Sequence, residues 1–243
     1  MSDPVSFLFI SAGIFAGAVV SGLVGFAFSA VAGAILLHIL PPTEAVPLMM
    51  ACSIVTQAVS LLALRGTVQW RGHPCLIVCG LAGMLPAVYL LHHVDAHVFR
   101  IGFGIFLVLY AVAMLLRPRA AIVSAAAGCL PQALVGFGGG VVGGLTAMPG
   151  ALPSMWCELR GLPKCQQRGL VQPYIATLQL AALAVMLAYN TFSSSTLLNM
   201  TLYAPALAAG AALGVVLFHK VDDALFRSTV LAILLVAGVL LAI

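Results

Sequence analysis

Long stretches of this chain carry no charge at all. No Asp, Glu, Lys or Arg occurs between Asp3 and Glu44, between Arg71 and Asp95, between Arg119 and Glu158, or between Arg168 and Lys220. A bilayer core of ~30 Å takes about 20 helical residues, so most uncharged runs are read as one crossing each. The run from Gly169 to His219 is read as two, divided by the polar stretch YNTFSSSTLLN. The expectation is an all-α polytopic membrane protein with about eight membrane segments, near 5–40, 44–64, 74–92, 98–116, 120–147, 167–189, 197–219 and 224–243. Composition agrees: with 63% hydrophobic and 7% charged residues, the chain cannot cover a water-soluble surface.

The first and fifth segments carry more glycine than any of the others. LVGFAFSAVAGA spans 23–34 and LVGFGGGVVGGLTAMPG spans 134–150, and glycine weakens a helix wherever it falls inside one. The first segment, as one straight helix, would be ~54 Å long, too much for one crossing and too little for two comfortable ones. The Gly-rich first segment of each half is therefore expected to be broken or re-entrant.

Matching surroundings imply a duplication. Leu23 to Phe26 repeats as Leu134 to Phe137, 111 residues on, and VDAHVFR at 94–100 faces VDDALFR at 221–227, 127 residues on. The two shifts differ by 16, which places inserted polar material at 153–169, in PSMWCELRGLPKCQQRG. The chain is read as two homologous halves, 1–117 and 118–243, forming one transport domain. If segments one and five turn back, each half crosses three times and the repeats are inverted; eight full crossings would make them parallel.

Duplicated halves with interrupted helices point to a secondary transporter whose site lies where the halves meet. A helix that ends inside the membrane lets the next half-helix present unpaired N–H groups and the positive end of its dipole, a natural anion seat. On this reading Gly25 in the first half and Gly136, Gly138, Gly139 and Gly140 in the second lie at the site. The competing reading is close packing, for which the fourfold spacing of Gly136, Gly140 and Gly144 is suited. A contiguous Gly138-Gly139-Gly140 exceeds what one packing face needs.

The polar complement follows in RGLPKCQQRGLVQPYIATLQL. A helix starting near Pro163 places Lys164, Arg168 and Gln172 on one face, with Gln179 close to it. Lys164 and Arg160 read as snorkelling boundary residues, Arg168 and Gln172 as substrate contacts. In the second segment Ser53, Gln57 and Ser60 form an uncharged stripe, and Gln57 joins the candidate set. Asp95/Arg100 and Asp222/Arg227 read as ion contacts that brace loops.

Other classes lose ground. The six cysteines have no C-x-x-C spacing and no neighbouring His cluster, so no metal site or redox pair is expected and they read as small hydrophobes. No phosphate-binding loop, G-x-S-x-G or H-E-x-x-H occurs, so neither ATP hydrolysis nor an intramembrane enzyme is supported, and no cofactor is expected. The net charge of +4 is spread over short loops, which argues against a nucleic-acid surface. MSDPVSF lacks the basic start of a signal peptide. A passive anion channel remains an alternative, as does a carrier of small organic carboxylates.

The glycine stretches, the duplicated layout and above all LRGLPKCQQRGLVQPY resemble the sulfite exporter TauE/SafE family over essentially the whole chain. The resemblance implies transport of small anions, sulfite or an organosulfonate, across a bacterial inner membrane by a multi-pass protein. It also implies that Gly136 to Gly140, Arg168 and Gln172 are positions to suspect. The partners it implies are a small anionic substrate and membrane lipid, with a homodimer left open.

Overall fold

The computed structural model describes residues 4–63, 74–91, 93–116, 128–188, 194–220 and 223–242. They form ten helices: α1 (Pro4–Val24), α2 (Phe28–Ile39), α3 (Pro42–Ala63), α4 (Pro74–Leu91), α5 (Ala96–Leu116), α6 (Cys129–Thr146), α7 (Ala151–Leu159), α8 (Lys164–Ala188), α9 (Ser194–Lys220) and α10 (Asp223–Ala242). No strand occurs among the described residues. Six helices contain spans long and apolar enough to cross a membrane: α1, α4, α5, α6, α8 and α9. The expected boundary at 117/118 lies outside the described residues.

Helix ends follow the chain's prolines and left-handed residues. α1 stops because Gly25 takes φ +95° and returns its N–H to the Ser21 carbonyl at 2.7 Å, a left-handed cap that glycine adopts without steric cost. Pro41 and Pro42 separate α2 from α3, the second opening the new helix where its missing N–H loses nothing. Gly161, at φ +69°, closes α7, and the Leu162 N–H caps the Cys157 carbonyl at 3.1 Å.

The first expected membrane segment is therefore a hairpin, whereas the described part of the fifth is the unbroken α6, and its turn comes only after Thr146. After Gly25 the chain doubles back, and α2 packs antiparallel to α1, with Gly17 against Phe28 and Ala32 and Gly13 against Ile35 and Leu36. After Thr146 it doubles back again: Gly143 lies on Pro149, and Gly139 on Pro149 and Pro153. The stretch 153–169 accordingly forms most of α7, a tight turn and the start of α8.

Glycine seams order the remaining helices. α1 runs parallel to α9, where Gly22 meets Gly214 and Gly210 meets Ala18. α6 runs parallel to α4, where Gly136 meets the Leu76 carbonyl, Gly140 meets Gly80, and Gly144 meets Met84 and Ala87. α5 and α10 are antiparallel, with Gly104 on Ala242 and Gly238 on Leu107 and Val108. Close backbone approach of this kind is how helices gain packing energy where lipid supplies no hydrophobic drive.

A disulfide joins Cys75, at the start of α4, to Cys129, the first residue of α6. This corrects the expectation of six unpaired small hydrophobes. A separation of 54 residues in sequence carries no local signal, and only the parallel seating of α6 on α4 brings the two helix starts together.

Candidate functional site

The two turns meet. Ser29, on the first turn of α2, donates its hydroxyl to the carbonyl of Ala147 at 2.9 Å, and a side chain on Gly150 would press on Phe26 and Ile175. Ala147 is the one described non-glycine residue with positive φ, +57°. So each hairpin turns on a left-handed residue, Gly25 in one and Ala147 in the other. The half-helices that follow, α2 and α7, start at Ala27 and Gly150, and neither start has a side-chain cap. Their first N–H groups and positive dipole ends therefore lie at the junction.

Helices α3 and α8 flank this junction as an antiparallel pair. Gln57 donates Nε2 to the Gly25 carbonyl at 2.7 Å, and Gln172 donates to the same oxygen at 3.2 Å. Arg168 reaches the Gly22 carbonyl through Nη2 at 2.7 Å. Gln179 donates to Ser53 Oγ at 2.8 Å and to the Ala147 carbonyl at 3.5 Å. Thr56 and Ser21 stand 3.3 Å apart beside them. Ser53, Gln57, Arg168, Gln172 and Gln179 are all at most 5% exposed. Burial of so many polar groups in an apolar chain demands these bonds, since no solvent competes for the freed carbonyls.

Of the positions expected from sequence, Gly25, Gln57, Arg168 and Gln172 come together here. A Cβ on Gly25 would lie 2.6 Å from Gln172 Nε2 and 3.2 Å from Arg168 Nε, so glycine is needed for contact as well as for φ. Gly136, Gly138, Gly139 and Gly140 do not form the break. α6 runs on to Thr146, and the contiguous glycines seat three different neighbours: Leu152 on Gly138, Tyr174 and two prolines on Gly139, and α4 on Gly140. That is why three in a row are needed, and packing explains them. Tyr174 locks the same region by donating its hydroxyl to the Gly136 carbonyl at 2.7 Å.

Sequence reasoning missed Ser29 and Ala147. The Pro149-Gly150 pair was the available signal, because that dipeptide marks a turn. Asp95 and Arg100 do not brace each other in the contacts observed: Asp95 caps α5 through the His97 and Val98 N–H groups, and Arg100 meets His38 at 3.1 Å. Asp222 lies outside the described residues. An apolar cavity of about 250 Å³ opens beside the end of α6, bordered by Phe99, Phe103, Phe106, Leu145 and Thr146. No group of three or more His, Cys, Asp or Glu placed to hold a metal occurs among the described residues.

No curated protein and no solved structure matches the chain. A family model does, over residues 9–241, and on that match, with a membrane-helix architecture beneath it, the chain belongs to the sulfite exporter TauE/SafE family.

Proposed function

We propose that the protein is a secondary carrier of small sulfur oxyanions, sulfite or a sulfonate, and that the anion sits where the two turns meet. One observation carries this reading. Two uncapped half-helix starts converge on a junction walled by Arg168, Gln172 and Gln57. Helix N-termini and an arginine together form an anion site, and a broken-helix pair at the meeting point of two halves is where carriers place it.

The pairings also support a duplication with inverted halves, α1–α5 and α6–α10. A shift of 122 residues carries Gly25 onto Ala147 and Gln57 onto Gln179, so the working register is set by the turns. The LVGF tetrapeptides, 111 apart, then match by chance, and α7 takes the place of α2 with no insertion at 153–169. Like helices meet antiparallel, α3 with α8 and α5 with α10, as an axis lying in the membrane plane requires. On this reading α1–α2 and α6–α7 are re-entrant, although α1 and α6 are each long enough to cross, and α3, α4, α5, α8, α9 and α10 cross.

Following the chain through this arrangement sorts its charges. Among the described helices and turns, Arg160, Lys164, Lys220 and Arg227 fall at one face and Arg100 at the other. Basic residues mark the cytoplasmic side, so the chain enters and leaves from the outer face of the plasma membrane, the inner membrane in a bacterium.

The test is flux in proteoliposomes. Sulfite preloaded inside should accelerate uptake of labelled sulfite, and uptake should saturate. Flux without saturation or counterflow would mean a channel, and no sulfite or sulfonate flux at all would overturn the reading.

A further inference from the structure

The junction holds more hydrogen-bond acceptors than an anion uses. The amide nitrogens of Gln57 and Gln172 each donate once to the Gly25 carbonyl, and that of Gln179 donates to Ser53 and Ala147. Their Oε1 atoms are buried and have no hydrogen-bond partner. Each oxygen shares its amide carbon with a nitrogen already anchored at a turn or, for Gln179, beside one, so these acceptors line the junction itself. The residues are 2%, 1% and 2% exposed, and an acceptor left unmade at such depth costs its full desolvation. Charge gives a second constraint. Among the described residues Arg168 is the one charged side chain in the buried set, so the buried interior contributes one positive charge and no negative one.

We infer that the site selects a monoanion carrying its own hydrogen-bond donor, such as hydrogensulfite or a hydroxysulfonate, over a dianion or a sulfonate without a donor. The inference rests on the proposed anion site and names its substrate class. The sulfonate oxygens take the half-helix N–H groups and Arg168, and the ligand's O–H donates to the glutamine oxygens at the opposite side of the junction. A dianion brings a second charge with no buried cation to meet it, at a cost the membrane interior makes large.

The experiment is competition against labelled sulfite uptake in proteoliposomes of the wild-type chain. The competitors are 2-hydroxyethanesulfonate, its near-isostere 1-propanesulfonate, and 1,2-ethanedisulfonate. The hydroxysulfonate should inhibit at about tenfold lower concentration than the propanesulfonate, the discrimination one ordinary net hydrogen bond gives, and the disulfonate should be weakest. Gln172→Met should shrink the first ratio toward one. Because the wild-type ratio needs no variant, a folding defect in Gln172→Met leaves the test intact. Equal inhibition by the two monosulfonates, or tighter binding of the disulfonate, with sulfite uptake intact, overturns the inference and leaves the anion site standing. Absence of sulfite uptake overturns both.

Discussion

Gln57 donates its amide to the carbonyl of Gly25, 32 residues earlier, at 2.7 Å. Gln179 stands in the same relation to Ala147, also 32 residues earlier, at 3.5 Å. In both cases the acceptor is the left-handed residue that ends a helix, whose carbonyl has been turned out of the helical ladder. Inside a bilayer such a carbonyl needs a donor from another helix. Gln57→Leu should therefore lower stability by about 1–3 kcal/mol, the cost of unmaking a buried bond, and thermal unfolding in detergent would register it. An unchanged midpoint would mean the turn does not depend on α3.

The two turns respond oppositely to one methyl group. Gly25→Ala forces a Cβ into the left-handed region and against Gln172, and should cost at least about 1–2 kcal/mol. Ala147→Gly relieves the same strain at φ +57° and, after the entropy of the added glycine, should gain about 0.5–1 kcal/mol. Paired melting curves of the two variants decide the signs.

Glycines in α6 and α5 differ in what surrounds them. Gly140→Val pushes against the backbone of Gly80 and should separate α6 from α4, seen as loss of monodisperse protein on size exclusion. Gly102 has open space around it, with nothing within 4 Å. Gly102→Ala should be neutral or stabilising by roughly 0.5–1 kcal/mol, the helix preference for alanine.

Arg168 touches both the first turn and the proposed anion. Arg168→Gln keeps a donor for the Gly22 carbonyl and removes the charge. Sulfite kcat/KM should fall about 30-fold, which corresponds to about 2 kcal/mol for one charge-assisted bond. Folded yield at wild-type level alongside that loss would separate substrate binding from scaffolding, and undiminished flux would remove Arg168 from the site.

The disulfide tests the orientation. Cys75 and Cys129 begin α4 and α6, at the end of the bundle where α7 closes at Arg160, α8 starts at Lys164 and α9 ends at Lys220. If that face is cytoplasmic, the Cys75–Cys129 bridge of the structure is the oxidised form of the pair, and the reducing interior of a growing cell keeps both as thiols. Thiol-specific mass tagging after rapid acid quench should then find both thiols free, closing only on addition of oxidant, and an alkaline phosphatase fused after Ile243 should be active outside. A bridge already closed in unstressed cells, with an inactive fusion, would reverse the assignment.

Sequence alone determined the solvent, the helical class, the need to break the first long run, and the polar stripe of Arg168, Gln172 and Gln179. Each is a local matter: charge spacing, segment length and helical period are all written along the chain. Gly25 was legible because a lone glycine at the right depth ends a helix. Its counterpart was hidden, because Ala147 has no left-handed preference and the glycine-rich run eleven residues upstream drew the eye. Only the tertiary structure decided that Gly136–Gly140 seat α4, α7 and Tyr174 while Ala147 turns the chain. It also decided that the two turns touch, that Cys75 pairs with Cys129, and that Gln57 and Gln179 hold equivalent carbonyls. These depend on which helix lies beside which, and packing between separate helices leaves no periodic trace in either.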